Sequence, residues 1–500
     1  MKKPYTVTLA LILMLVTQLA PLRSAGTYAA QAEQKASTRG IEGSWEGVLD
    51  VGAAKLRIVL KISKEKDGSF AATLDSLDQN AMDLPVSSMT LEGDALRFEM
   101  KVIGGLYEGT LNKDRSEVSG TWRQGDQSWP LILKRVEKKP AAATSPTDPK
   151  KPETSAKPQE PKKPYPYSEE EVSYENKAGG VKLAGTLTLP RATGPFPAVV
   201  LITGSGPQNR NEELLGHKPF LVLADHLTRK GIAVLRVDDR GVGGSTGSIP
   251  SSTSEDFAGD VLSGIEFLKT RKEINPKQIG LIGHSEGGLI APMVAARSAD
   301  VAFIVLMAGP GLIGEEILYL QGALIAKASG APDKAIQSSR ANQQAIFAVL
   351  KEEKDNAIAE KRIRENFSKI TAEMTDEQKK ASGAGATLDA QLKMVLTPWF
   401  RYFLTYDPKP ALMKVRCPVL AINGEKDLQV PPDEDLRVIE QTLAAAKNPD
   451  YKVVKLPGLN HLFQTCKTGA LSEYAQIKET MSPTALELMS DWILNHTTQR

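Results

Sequence analysis

The chain has 500 residues, more than one ordinary hydrophobic core organises, so it divides into domains. Hydrophobic residues make up 41% and charged residues 24%, which excludes a polytopic membrane protein, a collagen-like fibre and a wholly disordered chain. The 62 basic residues nearly balance the 60 acidic ones, so bulk charge invites neither nucleic acid nor an anionic membrane, and two cysteines with five scattered histidines make neither a disulfide framework nor a metal site.

In chain order, Met1-Lys2-Lys3, an apolar run centred on Leu9 to Val16 and the small residues Ala30-Gln31-Ala32 predict a signal peptide over residues 1–30, cut near 29–32. Gln18, Pro21 and Arg23 interrupt the run below the roughly 20 residues a membrane span needs. The mature protein is therefore expected outside the cytoplasm, secreted or periplasmic.

Residues 41–136 read as a small all-β domain. Strand-like runs such as Leu56–Ile62, Leu96–Met100 and Leu131–Leu133 alternate with turn signals, as in a sandwich or barrel. Gly43-Ser44-Trp45 and Gly120-Thr121-Trp122 resemble the strand-opening tryptophans of lipocalin-like barrels. Such a barrel would hold an apolar ligand or a polymer chain, or would serve as a packed accessory domain. Residues 137–167 are rich in proline and lysine and almost empty of large apolar side chains, which predicts an extended, solvated linker.

From residue 168 to 500, strand and helix signals alternate, the pattern of a mostly parallel sheet with helices on its faces. The buried run Ala198–Ile202 ends in Thr203-Gly204-Ser205-Gly206-Pro207. Ile232–Val237 leads into Asp239-Arg240-Gly241, and Gln278–Gly283 runs into Gly283-His284-Ser285-Glu286-Gly287-Gly288. G-x-S-x-G between a strand and a helix is the turn that exposes a nucleophilic serine. A second match, Gly243-Gly244-Ser245-Thr246-Gly247, precedes no helix and reads as structural. Ser285 is the candidate nucleophile.

A serine hydroxyl needs a base and a carboxylate to orient that base, and in this arrangement they follow in the order serine, acid, histidine. Pro418–Gly424 reads as a strand leading to Glu425-Lys426-Asp427, and Lys452–Leu456 leads to Asn460-His461. Both ends fall on the sheet edge where open α/β folds carry ligands. Asp427, at the spacing G-x-x-D, is preferred over Glu425, Asp433, Glu434 and Asp435. His461 is preferred over His217 and His226, expected as surface or capping residues, over His284 inside the turn and over His496 in the polar tail. The oxyanion donors are the N–H of Glu286 and, from the glycine-rich loop, that of Ser205.

Residues 172–497 resemble bacterial α/β-hydrolases of the serine aminopeptidase-like esterase group. The resemblance rests on Gly204-Ser205-Gly206-Pro207, Asp239–Ser245, Gly283–Gly288, Gly424–Asp427 and Asn460-His461. It implies an α/β-hydrolase fold, a structural role for the Asp239–Ser245 loop and no cofactor. Thr203 stands where many relatives carry histidine. Gly309–Gly314 matches G-x-G-x-x-G, but a long helical stretch follows instead of a second strand ending in an acid, which argues against a nucleotide site. That stretch, 312–411, is expected as a helical cap. Its aromatic cluster Trp399, Phe400, Tyr402, Phe403 and Tyr406 either lines an acyl pocket or forms the helix's own packed face. Cys417 and Cys466 are expected at opposite ends of the sheet, with a disulfide open between them.

The expected function is an exported serine esterase acting on small-molecule esters, with no metal and no nucleic-acid partner. A peptidase of the same fold would need an acid to bind a peptide terminus, for which Glu212, Glu213 and Glu286 are candidates by charge alone. A binding protein working through its β-domain is the remaining alternative.

Overall fold

The computed structural model describes residues 40–50, 55–64, 70–76, 81–100, 105–124, 127–136, 157–372 and 384–497. The expected signal peptide and residues 137–156 of the expected linker lie outside these. The chain divides into two compact units, and the described residues of the larger are 157–370 and 390–497.

The smaller unit contains an antiparallel sheet of β1 (Gly43–Asp50), β2 (Lys55–Lys64), β3 (Phe70–Ser76), β4 (Ala81–Pro85), β5 (Ser88–Glu92), β6 (Ala95–Met100), β7 (Gly105–Leu111), β8 (Glu117–Gln124) and β9 (Gln127–Arg135). Its order is β4-β3-β2-β1-β9-β8-β7-β6-β5, a nearly closed, barrel-like sheet in which the first strand pairs with the last. Alternation puts one side of each strand inside: Leu96, Phe98 and Met100 of β6 are buried while Ala95 and Arg97 are exposed. Trp45, Phe98, Tyr107 and Trp122 fill the interior with aliphatic residues, so it is a packed core. The Tyr107 hydroxyl lies 3.1 Å from the Val118 carbonyl and 3.0 Å from that of Leu131, bonding across two strands. Gly109 and Gly120 make room for that ring, since a Cβ on either would run into it.

The larger unit is built on β10 (Ser168–Asn176), β11 (Val181–Leu189), β12 (Phe196–Ile202), β13 (Ala233–Val237), β14 (Ile274–His284), β15 (Ile304–Met307), β16 (Val419–Gly424) and β17 (Tyr451–Leu456). The sheet order is β10-β11-β13-β12-β14-β15-β16-β17, parallel from β13 onward, with β10 and β11 as an antiparallel edge. Val199 and Leu201 of β12 join one core cluster, while the alternating Ala198, Val200 and Ile202 are buried on the opposite face. The sheet is thus covered on both sides, as parallel sheets require. Helices α1 (Pro219–Arg229), α2 (Ser254–Lys269) and α3 (Glu286–Ala295) connect the strands up to β15. α2 begins with a reciprocal cap in which the Thr253 N–H donates to the Asp256 carboxylate.

Between β15 and β16 the chain makes α4 (Gly314–Ala328), α5 (Asp333–Glu352), α6 (Asn356–Ile370), α7 (Ala384–Val395), α8 (Pro398–Thr405) and α9 (Lys409–Leu412). This insertion falls where the cap is expected. Helices α10 (Pro432–Ala445), α11 (Leu471–Tyr474) and α12 (Pro483–Thr497) complete the unit, and α1 and α12 share one core cluster. The architecture is the expected α/β-hydrolase fold after an all-β sheet. Among the described residues, no helix is long and apolar enough to cross a membrane.

One stretch read as solvated spacer behaves otherwise. Gln159 accepts from the N–H groups of Thr480 and Met481 and donates to the Met481 carbonyl, and Lys157 donates to the carbonyls of Ala475 and Ile477. Glu160 pairs with Lys218. Residues 157–160 form a strap on the α/β unit, held by backbone bonds that composition does not reveal.

Candidate active site

Ser285 stands between β14 and α3 with φ 54° and ψ −118°, a strained conformation for a residue with a side chain. Its N–H donates to the Met307 carbonyl at 2.8 Å, fixing the turn to β15. The flanking glycines are demanded by close backbone approach: a Cβ on Gly283 would strike the Gly287 carbonyl, and one on Gly287 the Ile202 carbonyl. Gly288 packs on Gly309 at backbone distance, and a Cβ on Gly311 or Gly314 would strike the backbone of Asp435 or Phe403. The glycines of the G-x-G-x-x-G stretch therefore serve chain packing.

Asp427 lies beyond β16 and His461 beyond β17, and the structure brings them together. His461 Nδ1 is 2.7 Å from Asp427 Oδ2, with both residues buried. The other oxygen, Oδ1, accepts from the N–H groups of Gln429 and Val430 at 2.7 and 3.0 Å. Those bonds fix the carboxylate plane and leave Oδ2 for the imidazole. Asn460 stiffens the histidine loop by accepting from the N–H groups of Leu462 and Gln464.

The loop after β12 runs beside the serine: a Cβ on Gly204 would lie 3.2 Å from Ser285 Cβ. The Gly204 N–H donates to Glu212 Oε1 at 2.8 Å, which takes it out of contention as an oxyanion donor. Ser205 is the next residue of that loop. Glu286 occupies the first position of α3, where a helix N–H has no partner within the helix. Thr203 donates to Asp239 Oδ1 at 2.6 Å, and the Gln208 N–H to Asp239 Oδ2 at 2.8 Å. Burial pushes the Asp239 carboxyl up to about 8 in spite of those donors. Thr203 thus tethers the loop to the Asp239–Ser245 turn, where Ser245 Oγ donates to the Asp238 carbonyl and accepts from the Ala184 N–H.

The Glu286 side chain is fully buried. Its Oε1 accepts from Ser254 Oγ at 2.6 Å and from Trp399 Nε1 at 2.8 Å. Burial holds its pKa above the usual carboxylate range, against the pull of these donors. Trp399 stacks on Phe403 at 5.5 Å, while Phe400 packs against Phe347 of α5 at 5.9 Å. Phe400 and Phe403 form the packed face, and Trp399 reaches the residue after Ser285.

The remaining histidines are engaged elsewhere. His217, expected at the surface or as a cap, is instead fully buried, bonding Thr480 Oγ1, the Tyr474 carbonyl and Gln464. His226 bonds Ser490, His496 bonds the Trp492 carbonyl and Asp450, and His284 bonds Glu212. Cys417 and Cys466 are both free thiols. Among the described residues, no group of three or more His, Cys, Asp or Glu side chains could hold a metal ion. Sequence reasoning did not find Ser254, the Trp399–Glu286 contact or the Glu212–His284 pair; no local motif marks partners that lie 32 to 113 residues apart.

The profile of the alpha/beta hydrolase family matches residues 199–466. Esterase EstD of Thermotoga maritima is 29% identical over 223 residues, 43% of this chain and 48% of EstD. The thiohydrolase apmlB of Arthrinium phaeospermum is 27% identical over 269 residues, 50% of this chain and 83% of its own length. The chain spans about half the length of the first curated relatives it matches. Among solved structures, Est1E of Butyrivibrio proteoclasticus with bound ferulic acid aligns over 66% of this chain and 98% of its own, at 16% identity and TM-score 0.38.

Proposed function

The chain belongs to the alpha/beta hydrolase family, and we propose that it is an exported serine esterase. The observation that carries this reading is the 2.7 Å contact of His461 Nδ1 with Asp427 Oδ2, together with a serine held at positive φ between strand and helix whose preceding residue, His284, bonds the His461 carbonyl. In this reading Ser285 Oγ attacks the ester carbonyl and His461 Nε2 takes its proton. Asp427 holds the imidazole with its Nδ1–H inward, so that Nε2 is free to act as base. The N–H groups of Ser205 and Glu286 take the oxyanion. His461 then returns the proton to the leaving alcohol, and water, activated by the same base, releases the acid from the acyl-enzyme.

Export is supported by the leader sequence, and the barrel-like unit is then an accessory with lipocalin-like strand openings. A peptidase would need an acid free to bind a terminus, yet of the three candidates Glu212 and Glu286 are taken up by internal donors and Glu213 accepts from Asn209 Nδ2. The test is hydrolysis of p-nitrophenyl esters from acetate to palmitate, with acyl thioesters and aminoacyl-p-nitroanilides alongside. Ester turnover that falls on the order of 10⁴-fold in Ser285→Ala supports the reading. Turnover confined to anilides, or retained in Ser285→Ala, overturns it.

A further inference from the structure

His284 precedes the candidate nucleophile, and its buried imidazole has an unusual pair of neighbours. Nδ1 lies 2.9 Å from Glu212 Oε1, and Nε2 lies 3.0 Å from the carbonyl oxygen of His461. Both partners are acceptors. A neutral imidazole owns one N–H, so it would leave a nitrogen lone pair facing an oxygen in a place closed to water. Two N–H donors satisfy both oxygens. The Glu212 carboxylate supplies the opposing charge, and its Oε1 also receives the Gly204 N–H at 2.8 Å.

One carboxylate and one imidazole thus join the oxyanion loop, the serine turn and the histidine loop. The His284 ring lies 4.8 Å from that of His461, and Phe463 closes another side with its ring centre 6.4 Å away. The other charged groups acting on the pair are Asp427, whose charge favours the protonated His284, and Asp239, whose charge is felt by Glu212.

We propose that Glu212 and His284 are a positioning pair, with His284 held as a doubly protonated imidazolium that sets the Ser205 N–H and the His461 ring in register with Ser285. Burial alone would lower the pKa of His284, but the Glu212 charge and hydrogen bond, followed by the His461 carbonyl and Asp427, reverse this and leave it raised. The groups held in register are those that act in the transition state, so the pair works on kcat and leaves KM little changed. That kinetic consequence rests on the esterase reading, whereas the protonation state of His284 does not.

The experiment uses the full chain labelled with ¹⁵N-histidine. There are five histidines, and the His284 signals are those lost in His284→Gln. At pH 7 and 8 the expected pattern is two protonated ring nitrogens with slowly exchanging protons, present also in Ser285→Ala and reduced to one in Glu212→Gln. In parallel, kcat on p-nitrophenyl acetate is expected to fall about 10²-fold in His284→Gln and in Glu212→Ala, with KM within about threefold and partial recovery in Glu212→Gln, which keeps the acceptor for Gly204. A single ring N–H on His284 in the unmodified chain overturns the proposal. So does a loss expressed in KM with kcat retained. If no ester is turned over, the esterase reading fails while the nitrogen spectrum still decides the proton. If His284→Gln does not fold, the Glu212→Gln spectrum and kinetics decide both parts.

Discussion

The indole N–H of Trp399, on cap helix α8, points between the two carboxylate oxygens of Glu286 at 2.8 and 3.0 Å. Glu286 follows Ser285, so the cap is fastened to the turn that presents the serine. Trp399→Phe keeps the ring and its stacking on Phe403 but removes the donor, a loss of about 1–3 kcal/mol for a buried carboxyl left short of a partner. The expected outcome is a several-fold rise in KM for long acyl esters with little change for acetate. Steady-state kinetics across the chain-length series checks it, and an equal effect at every length argues against cap seating.

Asp427→Asn should preserve the bonds from Gln429 and Val430 through the amide oxygen while turning an NH₂ group toward His461 Nδ1. The imidazole is then held in the other tautomer, with its proton on the nitrogen proposed as the base. A fall in kcat on the order of 10³–10⁴-fold is expected with the melting temperature nearly unchanged. A loss below tenfold would place the orienting acid elsewhere.

Asp435 gives a prediction about pH and stability. Its Oδ1 accepts from the N–H groups of Gly311 and Leu312, where the cap leaves the sheet, while its buried Oδ2 has no partner. Burial pushes its pKa up to about 7 in spite of those bonds. The folded state therefore holds the proton more tightly than the unfolded chain does. This group's destabilising effect is absent below about pH 4, grows as pH rises and is complete above about pH 7. Between pH 5 and pH 8 it should remove about 2–3 kcal/mol of stability, a slope absent from Asp435→Asn. Asp239, raised in the same direction, keeps part of the slope in both proteins. Urea unfolding at the two pH values measures the difference.

In the β-sheet unit, Tyr107→Phe removes the hydroxyl that reaches the Val118 and Leu131 carbonyls from inside the core. A destabilisation of about 1–2 kcal/mol is expected in the unfolding transition of that unit, with ester turnover unchanged. Differential scanning calorimetry of the full chain separates the two observables.

What could be read from the sequence was what local chemistry encodes. Gly283 and Gly287 mark the turn because backbone crowding admits no side chain there. Asp427 and His461 announce themselves by following apolar strand runs, and the alternating pattern of β6 exposes a one-sided sheet. What escaped depends on contacts between segments distant in the chain. Nothing near His217 says that Tyr474, Thr480 and Gln464 will enclose it. Nothing in Lys157-Pro158-Gln159 distinguishes a docked strap from the lysine- and proline-rich residues before it, because it is held by the backbone of 475–481, which no side-chain pattern advertises.

That strap has a mechanical meaning. Traction arriving from the N-terminal side meets the bonds of Lys157 and Gln159 to the backbone of 475–481 before it reaches the first strand of the sheet. Gln159 grips Thr480, Thr480 bonds His217, His217 bonds Gln464, and Gln464 accepts from Asn460, the neighbour of His461. The Gln159–Thr480 bond thus opens a chain of four that ends on the loop carrying the proposed base, so a load on the strap is delivered to the residues whose alignment the proposed chemistry needs.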